Sequence, residues 1–472
     1  MSSAERDTIT TDTEATAEAA KTNRKQPFPR GFLDTISTGW AEHPASLPAP
    51  RAQASFAAAR RARVSAAFPG ERLVIPAGSL KQRSNDTDYP FRAHSAFAHL
   101  TGWEADSEPD SVLVFEPNTG GHDVTLYFRE RADRTTAEFY SDATIGEFWI
   151  GPRPALGGVA ADLGVATAHL HEFVAGDADL VVDEHEELTR VVSELRLVKD
   201  EFEIAEMRRA VEITANGFDD IIRDLPRAIA HPRGERIVEG VFHQRARSDG
   251  NWEGYDTIAA SGPHACYLHW TRNDGAVLPG DLILIDAGAE ADSLYTADIT
   301  RTLPVSGTFS EVQRRIYDTV VEAADAAFAA ARVGVPFRTI HEAAMDVIAR
   351  RTAEWGLLPV TAQEALDADK GGQHRRYMVH GTSHHLGIDV HDCAQARREM
   401  YYDGILEPGM VFTIEPGLYF QIDDLTVPEE YRGIGVRIED DILMTADGPV
   451  NLSADIPRTS TEVEAWMARI QG

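Results

Sequence analysis

The sequence has little cysteine, no long apolar run and a shortage of basic charge, and each absence narrows the reading. Only Cys266 and Cys393 occur among 472 residues. A disulfide framework is therefore not expected, and a reducing cytoplasm fits. No apolar run approaches the roughly 18–20 residues that span a bilayer. The N-terminus lacks the apolar core of a secretory leader. Lysine and arginine number 45 against 76 aspartate and glutamate, a formal charge of −31. Nucleic-acid binders show the opposite balance, so no nucleic acid and no membrane is expected as a partner. Acidity of this size favours solubility and, modestly, cationic ligands such as peptide amino termini. Also missing are a G-x-G-x-x-G dinucleotide loop, a Walker-type lysine loop, a G-x-S-x-G nucleophile elbow and a fixed short repeat. Both cysteines stand in apolar or His-rich settings, which argues against a thiol nucleophile.

What is present suits a globular protein of two or three domains, with an ordinary 43% hydrophobic content. Residues 1–45 are rich in Thr, Ala and Glu and read as a disordered or loosely docked arm. Phe28, Phe32 and Trp40 are placed to dock its later part. Residues 46–195 read as an α/β layer domain. It opens with an Ala/Arg-rich helix over 51–68, and strands follow in RLVIPAG, SVLVFEP, DVTLYF and ADLVVD. The aromatic stretch DTDYPFRAHSAFAHLTGW between them reads as a packed connection. Residues 196–472 begin with a long amphipathic helix over 199–225 and a second helix, GERIVEGVFHQRARS. Strands are expected in YDTIAASG, YLHWT, LILIDAG and LYTADIT. Helices over 310–332 and 337–355 come next, then strands in VFTIEPGLYF and VRIEDDILMT. Helices followed by strands, twice over, indicate α+β and not βαβ winding.

Chemistry concentrates in four places. Residues 281–304 read DLILIDAGAEADSLYTADITRTLP. Period-two alternation puts Leu282, Leu284 and Asp286 on one face of a strand. A turn before Ala-Gly explains Asp286 equally well. Asp298 is expected in the middle of a strand, where aspartate is disfavoured; a salt bridge to Arg301 is the plainer explanation. The stretch MVHGTSHHLGIDVHD holds His380, His384, His385 and His391. His380 and His384 have the i, i+4 spacing of a zinc-protease helix, but Gly381 stands where that motif needs Glu. Glu415 interrupts the apolar VFTIEPGLYF. In GIGVRIEDDILMT, Arg437, Glu439 and Asp441 share one face and form a polar wall. Two Asp, one His and two Glu on separate elements suit two divalent ions bridged by carboxylates. The set is too rich in oxygen for a structural zinc site.

These motifs resemble the aminopeptidase P branch of the pita-bread metallopeptidases, the superfamily of methionine aminopeptidase and prolidase. The resemblance rests on LIDAG with YTADITRTLPVSGTFS, HGTSHHLGIDVHD, PGMVFTIEPGLYF, GIGVRIEDDI and YDTIAASG with CYLHWTRN. RRARVSAAF and DYPFRAHSAFAHLTGW resemble the creatinase-type N-terminal domain. The resemblance covers roughly residues 51–465. It implies a pita-bread catalytic domain behind an α/β N-terminal domain, and hydrolysis of the bond before a penultimate proline by a dinuclear metal-bridged hydroxide. Asp286, Asp298, His384, Glu415 and Glu439 are the implied metal ligands, with Asp298 and Glu439 bridging. Glu415 is also the implied proton carrier. His269, His380, His391 and Arg437 match positions that contact substrate or orient ligands. Two Mn²⁺ ions, a homo-oligomer (dimer or tetramer) and peptide substrates are implied as well. Prolidase, which cuts only dipeptides, is the main alternative. A creatinase-like amidinohydrolase and a catalytically dead binding module would both have lost ligands that are present here.

Overall fold

The computed structural model describes residues 28–43, 46–85 and 87–472. Most of the expected N-terminal arm, residues 1–27, lies outside the described residues. Contacts divide the chain into two compact units.

One unit joins the described residues up to Pro48 with Glu130–Gly158. Its first helix, Arg30–Ile36, has no buried residue, so aromatic contacts hold it. Phe28 and Phe32 stack at 4.7 Å and both meet Tyr140 edge-on. Trp40 meets Phe139 edge-on and carries the Arg134 guanidinium 5.0 Å above its ring. The docking residues expected from sequence are therefore in contact within this unit, through favoured T-shaped and cation–π geometries.

The other unit contains the remainder. A helix α1 (Ala54–Ala67) precedes a five-stranded mixed sheet. Its strands are β1 (Leu73–Pro76), β2 (Val112–Asn118), β3 (Gly121–Phe128), β4 (Ala166–His169) and β5 (Leu180–Val181), in the order β4-β3-β2-β1-β5. The aromatic connection forms α2 (Ser95–Thr101), a helix whose every residue is buried. Ala98 of this helix packs with Met207, Leu294, Tyr295 and Leu386.

The later part of this unit starts with α3 (Glu201–Ile229), which opens with a reciprocal capping box between Asp200 and Glu203. It runs past residue 225 and through Pro226. Buried Leu225 and Ala228 anchor that last turn, so packing overrides the proline. Helix α4 (Gly234–Asp249) follows, then β6 (Ile258–Ser261), β7 (Leu282–Ala287) and β8 (Ile299–Pro304), an antiparallel sheet with β7 in the centre. All six residues of β7 are buried, as expected of a strand covered on both faces. YLHWT is not a strand. Residues 262–266 form a 3-10 turn, and the chain passes irregularly through Tyr267 and Trp270. Buried Glu235 holds that segment. Its carboxylate accepts bonds from the N–H groups of Ser261 and Gly275 and from Trp270, and it faces His264 at 2.8 Å. Side-chain bonding has replaced a ladder there.

Helices α5 (Glu311–Ala330) and α6 (Thr339–Glu354) pack on one another. Each of the last two motifs splits into two strands. VFTIEPGLYF gives β9 (Val411–Ile414) and β10 (Gly417–Phe420), and VRIEDDILMT gives β11 (Ile434–Arg437) and β12 (Asp440–Thr445). Strand β9 pairs with β12, and β10 with β11. Glu415 and Glu439 therefore stand at the two points where the chain leaves one sheet for another.

Candidate metal centre

Nine residues singled out in the sequence line one cavity of about 530 Å³, Asp286, Asp298, His384, Glu415, Glu439, His269, His380, His391 and Arg437, while His385 and Asp441 do not. The nine arrive on several separated segments, with His380, His384 and His391 on one loop, Arg437 at the end of β11 and Glu439 just past it. Asp286 lies near the end of β7, opposite Thr300 on β8 and Ile258 on β6. Asp298 is not in the middle of a strand but directly before β8. Its N–H faces the Asp441 carboxylate at 3.2 Å instead of a ladder carbonyl, which frees the residue from the sheet. Arg301 does not pair with it. That guanidinium binds Asp440 at 2.7 Å and the carbonyls of Glu439, Ile456 and Pro457.

The tightest grouping is Asp298, His384 and Glu439, each with one ligand atom within 4.8 Å of the others. His384 Nε2 lies 3.2 Å from Asp298 Oδ2 and 3.7 Å from Glu415 Oε1. Its Nδ1 donates to the His385 carbonyl at 3.1 Å, which leaves Nε2 as the nitrogen that faces the carboxylates and the one available to a metal ion. Asp286 is held from two sides. Arg437 donates to Oδ2 at 2.5 Å, and the Tyr255 hydroxyl lies 2.7 Å from Oδ1. The same hydroxyl is 2.5 Å from Asp298 Oδ1, which ties the two aspartates together. Thr300 donates to Glu439 Oε2 at 2.7 Å, and Arg437 Nε reaches Thr300 at 3.2 Å. His380 Nε2 meets the Tyr419 hydroxyl at 2.8 Å, which in turn accepts from Arg437. His391 sets its ring edge-on to His384 at 4.4 Å.

Electrostatics supply the test of fit. Burial drives the Glu415 carboxyl up to about 7, against the pull of His384 and Arg437. Glu439 is raised well above the carboxylate range by burial and then by Asp298 and Glu415. Burial followed by Asp298 does the same to Asp441. Burial lowers the basicity of His384, yet Asp298 and Glu415 outweigh it and bring the imidazole to about 9. The cavity thus holds more buried carboxylate than one guanidinium and one imidazole can balance. Carboxylates gathered in this way are stable when they share cations. An oxygen-rich set with one free imidazole nitrogen fits divalent ions.

Three supporting residues were not foreseen. Tyr255 and Tyr419 act through their hydroxyls, and Tyr419 shares the VFTIEPGLYF motif with Glu415. Thr300 was readable only once the β7–β8 register was known, since that register sets it opposite Asp286. Asp392, one residue after His391, is also structural. It accepts from Arg196 at 2.8 Å and Lys199 at 3.2 Å and from the N–H of Cys393. Burial would raise its carboxyl, but Arg196 and Lys199 hold it well below the usual range. A Cβ at Gly387 would fall 2.2 Å from Asp392 Oδ2, so this glycine in the His-rich motif makes room for the ion pair.

Comparison with known proteins gives two matching families. "Metallopeptidase family M24" matches residues 205–446, and "Aminopeptidase P, N-terminal domain" matches 57–180. Xaa-Pro aminopeptidase 1 of Streptomyces coelicolor is 50% identical, with 97% of each chain covered. Xaa-Pro aminopeptidase of Escherichia coli is 34% identical over 87% of this chain and 97% of its own. A solved structure of a substituted Escherichia coli aminopeptidase P in complex with substrate superposes with a TM-score of 0.76 at 32% identity. It covers 90% of this chain and 100% of that one.

Proposed function

Because this chain belongs to metallopeptidase family M24, with the aminopeptidase P N-terminal domain ahead of the catalytic one, we propose that it is an Xaa-Pro aminopeptidase. It is a metal-dependent peptidase of α+β architecture, pita-bread in its catalytic half, and it removes the first residue from peptides with proline second. The observation that carries the site assignment is the meeting of Asp298, His384 and Glu439 beside Asp286 and Glu415 in one cavity. Residues 46–195 are assigned to the N-terminal domain and 196–472 to the catalytic domain.

Two divalent ions would be held by Asp286, Asp298, His384, Glu415 and Glu439, and when bound they would activate water and polarise the peptide carbonyl. Membership of the aminopeptidase P branch points to Mn²⁺, although the donor set also accepts Co, Fe or Zn and affinity order alone favours Zn. The chain's own residues do the rest. Arg437 and Tyr255 fix Asp286 in one orientation, and Tyr255 fixes Asp298 with it. Glu415 takes a proton from the attacking water and delivers it to the prolyl nitrogen. That nitrogen is a tertiary amide nitrogen and leaves only once protonated. His391 and His269 both line the cavity, and one of them donates to the oxyanion. His380, held by Tyr419, contacts the substrate backbone. A cytoplasmic setting and a homo-oligomer belong to the same reading; the two buried free thiols agree with the setting.

The test compares a Gly-Pro dipeptide with a longer X-Pro peptide on Mn²⁺-loaded protein. Turnover of the longer peptide is expected, and activity confined to the dipeptide would make the protein a prolidase. Glu415→Ala and Asp298→Ala should each lower kcat by about 10²–10⁴-fold with the circular dichroism spectrum unchanged. Wild-type turnover in either variant removes that residue from the mechanism.

A further inference from the structure

A second cavity of about 220 Å³ adjoins the first and shares His380, Gly381 and Ser383 with it. Its charge is opposite. Asp256, Asp286, Asp298, Glu415 and Glu439 line the first cavity. Arg338, His341, Arg375 and His380 line the second, with no acidic residue among its lining. Such a basic recess is unexpected beside the active site of a chain with net charge −31.

The two arginines are not equivalent. Arg338 is already engaged, by Asp403 at 2.9 Å and Glu342 at 3.4 Å. Arg375 donates to the Val379 carbonyl at 3.0 Å and forms no ion pair among the described residues. Its remaining N–H groups are free for a planar two-oxygen acceptor. His341 stands beside it, 3.2 Å from the Thr382 hydroxyl.

We propose that this second cavity is a subsite for a carboxylate carried by the peptide beyond its proline. The argument is one of polarity and rests on the aminopeptidase reading. A peptide brings a free ammonium group at one end, which the acidic cavity attracts and the basic cavity repels. The scissile bond lies among the acidic residues, next to that ammonium. His380 belongs to both cavities, so a chain passing it leaves the acidic cavity and enters the basic one with its later residues. A dipeptide ends before this point. The carboxylate is either an Asp or Glu side chain after proline or the C-terminal carboxylate of a short peptide.

Three peptides separate these sources: Ala-Pro-Gln-NH₂, Ala-Pro-Glu-NH₂ and Ala-Pro-Gln with a free C-terminus. Wild type should show kcat/KM about fivefold higher for at least one carboxylate peptide than for the neutral amide, as expected for a partly exposed ion pair. The difference should lie mainly in KM and diminish with salt. Arg375→Ala should reduce that ratio to about one, Arg375→Lys should keep part of it, and Arg375→Glu should invert it. Equal turnover of all three peptides by wild type, or a preference untouched by Arg375→Ala, overturns the subsite while leaving the aminopeptidase reading intact. No turnover of any of them overturns both.

Discussion

At the scale of single residues, the site depends on groups that carry no charge of their own. Tyr255 is buried, and its hydroxyl sits between Asp286 and Asp298. Burial, and then the two aspartates, raise this phenol well above its ordinary range, so it stays protonated and can donate. Tyr255→Phe should weaken metal affinity by about 10- to 100-fold, the usual cost of losing a group that orients ligands. Titration of metal-stripped protein with Mn²⁺, followed by calorimetry, measures this directly. Affinity equal to wild type would show that Asp286 and Asp298 keep their places without this hydroxyl. In the sequence, Asp286, Asp298 and Glu415 stand out against apolar neighbours, while the full set of five candidate donors comes only from the family resemblance. Tyr255 does not stand out in this way, and aromatic residues near strands are most often core.

Among the elements, the short connection between β7 and β8 sets the spacing of the two aspartates. A Cβ at Gly288 would lie 1.6 Å from the Ala297 carbonyl oxygen and 3.0 Å from the Tyr255 ring. Gly288→Ala should therefore destabilise by roughly 3 kcal/mol, and residual folded protein should show reduced kcat. Urea denaturation with an unchanged midpoint would mean that the connection moves aside freely. Leu294, in the same connection, has φ +68° although it is fully buried. Leucine rarely adopts that conformation, and its packing against Met207 and Leu386 holds it there. The strands themselves were largely legible: β7, β9 and β12 all fall inside the runs expected from their apolar periodicity. Their breaks were not. Alternation continues through Glu439, yet the chain changes sheets there, because Arg437 turns to Asp286 while Asp440 turns to Arg301.

For the whole molecule, stability should depend on metal and on pH. Chelation leaves several buried carboxylates without cations, so melting should shift down. Returning Mn²⁺ at about 100 times its Kd should restore roughly 2.7 kcal/mol. A melting temperature indifferent to chelator would argue against ions at this site. The pH effect arises elsewhere, in a buried cluster where His99 Nε2 lies 3.3 Å from Glu203 Oε1 and Arg60 lies 3.5 Å from Glu203. Burial depresses His99 to about 4 despite Glu203. Burial alone would raise Glu203, but His99 and Arg60 bring it down to about 2. Both groups bind protons more readily in the unfolded chain. The stability tied to His99 is complete above its unfolded value near 6.5 and is lost as pH falls toward 4. The part tied to Glu203 is lost between about 4.5 and 2. Denaturation at pH 7 and pH 4.5 should differ by a few kcal/mol in wild type, and His99→Asn should flatten that slope. An equal slope in the variant would place the effect on other groups.

By itself the sequence determined the local chemistry: which residue types are present, that Asp286, Asp298 and Glu415 stand among apolar neighbours, and that a half of α+β character carries the candidate donors behind one of α/β character. Periodicity and composition are local, and these properties are local too. Only the tertiary structure decided how the donors meet. Asp286 and Glu439 are 153 positions apart in the chain, and strand register, not spacing, brings both to the cavity. It also decided that Arg301 serves Asp440 and leaves Asp298 free, because a guanidinium takes the nearest set of acceptors that the fold presents. The basic cavity likewise had no trace in the chain order, since Arg338 and Arg375 lie on separate elements that only packing sets side by side.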